Sequence, residues 1–294
     1  MSDRWVAIQR NPRSGSGRRK EKLLDLIREL RRRGLKPRLF RSRERLSTVL
    51  QSPEQIESLR CIVAAGGDGT ACDVINRFPN VPVCPFPLGT ENLLSRHFGI
   101  DGSAAQTADQ IEADQYESID VGVLGDRRFL LMASVGFDAH VIHRLHNSRR
   151  GNISHLSYAW PILSSAVNYG FPALRVFVDD APGPITGCLV VIANFPEYAF
   201  GLPLVPEAAP SDGLLSVRVF PHPGAFSLLR YCRLLRGHRH VGHPEIPFVT
   251  ARSIRIESDV PVPVQIDGDP CGHSPCSIEL QPAQGRLLVP RSAD

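Results

Sequence analysis

No stretch of this 294-residue chain offers the ~20 uninterrupted apolar residues of a membrane span, so no spanning helix is expected. The opening residues, Met-Ser-Asp-Arg-Trp, run straight into a strand-like segment, and no signal peptide is expected there. The seven cysteines are odd in number and scattered, mostly inside apolar runs. That speaks against a disulfide framework and for free thiols in a reducing cytoplasm. Cys271 and Cys276 flank His273, but no second ligand pair stands at zinc-like spacing. Internal repeats and nucleic-acid-binding motifs are missing too, so no nucleic acid is expected as a partner. An apolar fraction of 42% with 22% charge is ordinary for a globular protein. The length is generous for one core and favours two domains.

The net charge of +4 is modest but unevenly spread. Between Arg18 and Arg45 stand thirteen Lys or Arg residues against four acids, Glu21, Asp25, Glu29 and Glu44. Leu23, Ile27 and Leu30 form an apolar stripe at helical spacing, which leaves the basic side chains on the outer face. That face is either simply solvated or attracted to anionic lipid headgroups.

The first hundred residues alternate strand and helix. Strands are expected near Trp5–Gln9, Leu35–Phe40, Arg60–Ala65 and Val81–Phe86. Helices are expected near Arg18–Arg33, Ala71–Phe78, Thr90–Phe98 and Ser103–Ile111, with Gly34 ending the first. Such alternation implies a parallel sheet with helices on both faces and a ligand site beyond the carboxyl ends of its strands. Polar, glycine-bearing turns beginning at Asn11, Gly66 and Gly89 each follow a strand and would converge there. Past Tyr116 the pattern becomes mainly strands, expected near Asp120–Leu124, Arg128–Ser134, Leu174–Asp179, Gly187–Asn194, Leu214–Phe220, Ser253–Ser258, Val262–Asp267 and Ser277–Gln281, the signature of an antiparallel β-sandwich. Helices are expected only near Asp138–Asn147, Ser154–Tyr169 and Gly224–Arg236. The expected organisation is an α/β domain over 1–116, a β-rich domain over 117–282, a cleft between them, and a segment 283–294 packing back on the first.

The sharpest signal is Ala64-Ala65-Gly66-Gly67-Asp68-Gly69-Thr70, directly after the apolar run Cys61-Ile62-Val63. Glycine permits positive φ and close approach of a ligand to the main chain. Backbone N–H groups at a turn near a helix N-terminus suit phosphate. Asp68 in their midst makes sense if a divalent cation bridges it to phosphate, or if it takes a proton from an attacking hydroxyl. A solvated acid in a tight turn is the plain alternative. Farther along, His238, His240 and His243 have a spacing that does not set three imidazoles on one helical face. Leu228-Leu229 and Leu234-Leu235 are expected in the core, or in a membrane if exposed beside that basic cluster.

Six motifs stand in order along the chain. They are Asn11-Pro12 with Ser14-Gly15, Gly66-Gly67-Asp68-Gly69-Thr70, and Pro87-Leu88-Gly89-Thr90-Glu91-Asn92. Then come Ser134-Val135-Gly136-Phe137-Asp138-Ala139, the series Asn194, Gly201, Pro206-Glu207-Ala208 and Asp212-Gly213-Leu214-Leu215, and the late Asp267-Gly268-Asp269. In this order they resemble the motifs of the diacylglycerol kinase catalytic-domain family, lipid kinases that include bacterial members and sphingosine kinases, and the resemblance spans nearly the whole chain. It implies ATP and Mg2+ as cofactors and a diacylglycerol-like or sphingoid lipid as substrate, met at a membrane surface by a cytoplasmic, peripherally attached enzyme. It assigns Asn11, Ser14, Gly15, Gly66, Gly67, Asp68, Gly69, Thr70, Gly89, Thr90 and Asn92 to ATP. It favours Asp269 as proton acceptor, with Asp267 and Asp68 tied to magnesium or positioning. Asp212, with backbone oxygens near Leu215 and Val217, resembles a structural magnesium site. Asp138 would contact a polar headgroup or, equally, cap its helix. An exposed strand edge in the second domain would be the seam of a homodimer.

Two positions depart from the family. Leu93 stands where an Asp is frequent, and Asp269 where Glu is usual, one methylene shorter. These departures keep open a catalytically silent lipid- or nucleotide-binding module. The glycine-rich motif alone would also admit an NAD kinase, although the Pro87–Asn92 loop and the late motif argue against it.

Overall fold

The computed structural model describes residues 4–11, 18–148, 165–198 and 201–290. The chain divides into two compact units, Met1–Ile119 with Ala283–Asp294, and Asp120–Pro282.

In the first unit, β1 (Trp5–Arg10), β2 (Lys36–Phe40), β3 (Leu59–Gly66) and β4 (Val83–Pro87) form a parallel sheet in the order β2-β1-β3-β4. The final strand, β16 (Cys276–Leu288), joins β4 in parallel where Leu287 faces Val83. Side chains alternate across a strand, so Val6 and Ile8, Cys61, Val63 and Ala65, and Cys84 and Phe86 share one face. They pack with Leu23, Leu26 and Leu30 of α1 (Arg18–Arg32) and with Ala108 and Ile111 of α6 (Ala104–Ala113). Residues of the opposite parity, Ala7, Ile62 and Ala64, are buried as well. The helix α4 (Asp68–Arg77) packs on β1, β3 and β4 and buries Val74 and Ile75. Burial on both faces explains why these strands read as near-continuous apolar runs. Gly34 takes φ +79°, the left-handed residue expected just past α1. Two short helices, α2 (Arg43–Val49) and α3 (Pro53–Glu57), were not anticipated. Their start signals are plain in retrospect: Ser42 Oγ accepts from Arg45 N, and Pro53 occupies the first turn.

The second unit is an antiparallel sandwich. One sheet runs β12 (Phe248–Ala251), β11 (Leu215–Phe220), β10 (Leu189–Ala193), β7 (Met132–Gly136), β14 (Pro263–Ile266), β15 (Asp269–His273). The other contains the start of β16, then β13 (Ser253–Ser258), β8 (Leu174–Val178) and β9 (Ile185–Gly187). A hairpin of β5 (Tyr116–Leu124) and β6 (Arg127–Phe129) adds to it. Val135, Val190, Ile192, Val217 and Val264 of the first sheet meet Val176, Ile254, Ile256 and Ile278 of the second in one core. Beside the sandwich lie α7 (Phe137–Ser148) and α8 (Ala225–Arg236). Several expected strands are cut differently: Arg128–Ser134 splits between β6 and β7, and Gly187–Asn194 between β9 and β10. The strands β12 and β15 were not anticipated, and β16 runs well past Gln281. The helix expected at Ser154–Tyr169 falls mostly outside the described residues.

Leu26 is fully buried in the first core. Leu26→Ala should therefore cost about 2–5 kcal/mol in urea denaturation, from lost transfer energy plus a residual cavity. A cost within experimental error would mean that α1 does not close that core.

Candidate active site

Three expected nucleotide loops leave the same edge of the parallel sheet. Arg10 pairs with Ala65 across β1 and β3, and Gly66 pairs with Pro87 across β3 and β4. Asn11 N donates to Ala65 O at 3.3 Å, and Leu88 N donates to Gly66 O at 2.7 Å. Asn11, Gly66-Gly67 and Leu88-Gly89 are thus neighbours, while Ser14 and Gly15 lie outside the described residues.

The glycines there do different work. A Cβ on Gly89 would stand 2.4 Å from Gly67 Cα, and one on Gly66 would stand 2.1 Å from Thr70 Oγ1. Gly67 and Gly89 are glycine because two loops touch main chain to main chain, and Gly66 because the Thr70 side chain lies over it. Gly69 differs: it is exposed, and a Cβ there would meet nothing within 4 Å. It lies in the first turn of α4, where orphan N–H groups and the helix dipole favour an anion. Asn92 sits at φ +49° and locks the third loop by accepting from Gly89 N at 2.9 Å and donating to Gly89 O at 3.1 Å. Thr90 is exposed beside it, and Thr70 is buried.

Asp68 is a clamp between the second and third loops. Its Oδ2 accepts from Leu93 N and its Oδ1 from Leu94 N, both at 3.0 Å, at the start of α5 (Leu93–His97). The cavity beside it is about 10 Å³, on the order of one water. Burial pushes its carboxyl above the usual carboxylate range, and the Leu94 and Leu93 N–H groups pull the other way. Leu93, the position departing from the family, is buried and meets Asp68 through its main-chain N–H.

The second unit repeats this device. Asp267 and Gly268 are the central residues of the β14–β15 hairpin, with φ of +48° and +84°. Positive φ at both positions is the condition of a type I′ turn, for which Asp-Gly is a preferred pair. The Asp267 carboxylate accepts from Leu130 N at 2.8 Å, Leu131 N at 2.9 Å and Met132 N at 3.0 Å. Buried Asn194 holds the same segment, donating to Leu130 O at 2.9 Å and to Asp120 O at 2.8 Å. Asp120, also buried, accepts from Gly213 N at 2.7 Å, and Asp212 Oδ1 accepts from Leu214 N at 2.9 Å. Asp212 is exposed, whereas Leu215 and Val217 are buried in β11, a strand paired on both sides. Among the described residues no group of three His, Cys, Asp or Glu side chains could hold a metal ion.

Asp138 opens α7. It accepts from Ser134 Oγ at 2.6 Å, Tyr198 Oη at 2.5 Å and Gln265 Nε2 at 3.3 Å. Gln265 Oε1 in turn accepts from Gly268 N at 2.8 Å, so this network underlies the Asp267–Asp269 turn. Sequence reasoning missed Ser134, Tyr198 and Gln265 as a set. The available signal was a polar residue inside each of two apolar strands, Ala133-Ser134-Val135 and Val264-Gln265-Ile266. Asp269 stands apart from the other motif acids: it is exposed, and its carboxylate has no hydrogen bond to any described residue.

The histidine group does not assemble. His240 is buried with neither ring nitrogen hydrogen-bonded. It lies by buried Arg218, which donates to His240 O at 3.0 Å and pairs with both Glu207 oxygens at 2.6 and 2.7 Å. Burial first, and then the Arg218 charge, lowers the His240 pKa.

Comparison with known proteins agrees with the folds. The chain matches the model of the diacylglycerol kinase catalytic domain over residues 6–124. Residues 132–289 match that of the YegS C-terminal NAD kinase beta sandwich-like domain. It belongs to the diacylglycerol kinase catalytic-domain family and is a kinase of the lipid-kinase class. A diacylglycerol kinase of Staphylococcus haemolyticus (strain JCSC1435) is 24% identical over 272 residues, covering 91% of this chain and 82% of the relative. One from Staphylococcus carnosus (strain TM300) is 22% identical over 274 residues, covering 91% and 89%. In fold, the chain is similar to a crystal structure of a diacylglycerol kinase from Bacillus anthracis str. Sterne. The TM-score is 0.70 at 20% identity, over 98% of this chain and 97% of that one.

Desolvation raises the Asp138 pKa, against the opposing pull of its Ser134, Tyr198 and Gln265 hydrogen bonds. The folded state then holds a proton more tightly than the unfolded state. Asp138 stabilises fully below its unfolded pKa of about 3.9, and that contribution is lost as pH rises through the higher folded value. Asp138→Asn has no such proton to lose. The melting temperature of the variant minus that of the parent should therefore grow from pH 4 upward. A difference that stays flat or shrinks would show that Asp138 ionises without cost.

Proposed function

We propose that this chain is an ATP-dependent lipid kinase that phosphorylates a hydroxyl of a diacylglycerol-like or sphingoid lipid, with Asp269 as the proton acceptor. The observation that carries this reading is a difference among carboxylates. Asp68, Asp138, Asp212 and Asp267 each give oxygens to donors of the protein, while Asp269 is exposed and unengaged. A general base must be free to meet the proton it takes. Asp68 and Asp267 fit the positioning role better than the metal-binding one.

The first unit suits a nucleotide. The open space over Gly69, at the N-terminus of α4, is room for a phosphate that a side chain would fill. Asn11, Gly67, Gly89, Thr90 and Asn92 border that turn. The fit for magnesium is looser, because Asp68 and Asp267 are already satisfied by backbone N–H groups. An ion here would be held chiefly by the nucleotide phosphates and water, the ordinary arrangement for magnesium with ATP. Its contribution is to spread the charge that develops on the phosphoryl oxygens. In the reaction the lipid oxygen bonds to the γ-phosphorus, the bond from that phosphorus to the β–γ bridging oxygen breaks, ADP leaves, and the hydroxyl proton passes to Asp269. Among the described residues no helix is long and apolar enough to cross a membrane, so the lipid would be met at a bilayer surface.

Transfer of labelled phosphate from ATP to lipids in a mixed extract tests the activity. Asp269→Asn should lower kcat about 10²–10⁴-fold, the usual scale of one acid–base contact, with ATP affinity and melting temperature unchanged. Asp269→Glu, with the longer reach usual in the family, should match or exceed the parent. Full activity in Asp269→Asn would remove Asp269 from the chemistry.

Gly69→Ala and Gly89→Ala separate binding from folding. The first should weaken ATP binding in calorimetric titration without lowering the melting temperature. The second should lower the melting temperature, because its Cβ meets Gly67 Cα at 2.4 Å. Unchanged ATP affinity in Gly69→Ala would move the nucleotide elsewhere.

A further inference from the structure

The strongly basic α1 is a poorer membrane surface than its composition suggests, because acids answer Arg28 and Arg32 within it and Arg33 just after it. Arg28 pairs with Asp25 at 2.8 Å and Arg32 with Glu29 at 2.6 Å. Arg33 reaches Glu29, Asp109 and Glu112 at 2.5–2.8 Å. Hydrogen bonds from Arg32 and Arg33 hold the Glu29 carboxyl down at about 2, so that partner stays ionised.

The helix α8 presents the opposite case. Its inner face is anchored by Leu228, Tyr231 and Leu235, with Tyr231 against the Phe220 ring at 4.9 Å between centroids. Leu229, expected in the core, is instead 62% exposed, and Phe226 is 90% exposed. Phe226, Leu229, Arg233 and Arg236 stand at i, i+3, i+7 and i+10, which is a single stripe of helix surface. Arg230 is paired with Glu245 at 2.6 Å. Arg233, Arg236 and nearby Arg239 form no ion pair with any described residue. Between these side chains lies an open groove of about 360 Å³, lined by Phe226, Leu229, Arg230, Arg233, Leu234 and Arg239.

We propose that this outer face of α8 is the surface by which the protein docks on a bilayer containing anionic phospholipid. Phe226 and Leu229 would enter the boundary between headgroups and acyl chains, as apolar residues of interfacial helices do. Arg233, Arg236 and Arg239 would meet headgroup phosphates, for which the guanidinium fork is suited. The groove would take one such phosphate between arginine and apolar walls. A second copy of this chain is a poor occupant, since a two-fold contact would set the same unpaired arginines against each other. The inference rests on the lipid-kinase reading, because it supplies the reason for a bilayer contact.

Co-sedimentation of the full chain with vesicles of phosphatidylcholine, with and without phosphatidylglycerol, tests it. The parent should bind the anionic vesicles more tightly. The pairs Phe226→Ser with Leu229→Ser, and Arg233→Glu with Arg236→Glu, should each weaken that binding roughly tenfold or more, at the parent's melting temperature. Lys20→Glu with Lys22→Glu on α1 should change it far less. Phosphorylation of a short-chain, water-soluble diacylglycerol should be unchanged in the α8 variants, while phosphorylation of vesicle-borne lipid falls. Parent-like vesicle binding by both α8 pairs would overturn the proposal. So would loss of binding in the α1 pair alone, or a shift of the α8 variants from dimer to monomer in sedimentation velocity. A parent that binds vesicles through α8 but phosphorylates no lipid would sink the kinase reading and leave the docking face standing.

Discussion

An aspartate carboxylate gripping consecutive backbone N–H groups is the interaction on which both halves of this protein depend. Asp68 holds the first two N–H groups of α5, and Asp267 holds three in a row from Leu130 to Met132. Each such bond, with a charged acceptor, contributes about 1.5–3 kcal/mol, more than a neutral pair. Its greater effect is geometric. A loop has no ladder of its own, and a carboxylate with two oxygens fixes two amides at once. The glycine-rich loop after β3 is thereby tied to the loop after β4, and the β14–β15 turn to the entry of β7. Removing either acid would leave several amides short of an acceptor in partly buried surroundings, which costs more than the bond itself contributes.

Close main-chain contact completes the first of these arrangements. Gly67 and Gly89 touch at a separation that excludes a Cβ on Gly89 and crowds one on Gly67, while Asn92 closes its own turn from the left-handed region. Glycine here is a packing requirement between loops, and only at Gly69 does it leave space facing outward. The same motif therefore contains two kinds of glycine that sequence alone does not separate.

Much of this was legible from residues. The alternation of strand and helix up to Ile111 gave the parallel sheet, because strands buried on both faces must be apolar throughout. Gly34 marked the end of α1. The motifs that carry the family resemblance fall within the two matched domains, at 6–124 and 132–289. What stayed hidden depends on tertiary partners. That Asp68 and Asp267 spend their oxygens on amides 25 and 136 residues away cannot be seen in a string of letters. The strand β15 escaped because Asp269–His273 carries no alternating apolar pattern, although Asp267-Gly268 is a strong hairpin signal. Leu229 looked like core because its neighbour Leu228 is. One residue is about 100° of helix, enough to turn a side chain from core to solvent.

These devices together explain how an exposed acid can be held at the end of a fixed turn. Asp269 is the first residue after a turn whose two central residues are clamped from beneath, Asp267 by its carboxylate and Gly268 through Gln265. Gln265 belongs to a hydrogen-bonded set with Ser134, Asp138 and Tyr198 that reaches from β14 across β7 to α7. Of the motif acids, Asp269 is the one without a hydrogen-bond partner among the described residues, so as the proposed base it would lose no hydrogen bond on meeting a substrate. An enzyme gains most from interactions realised in the transition state, and a base pre-committed to its own backbone would forfeit that difference. Under the proposed mechanism the two acids of the late Asp-Gly-Asp motif divide the labour: Asp267 holds the turn, and Asp269 would take the proton.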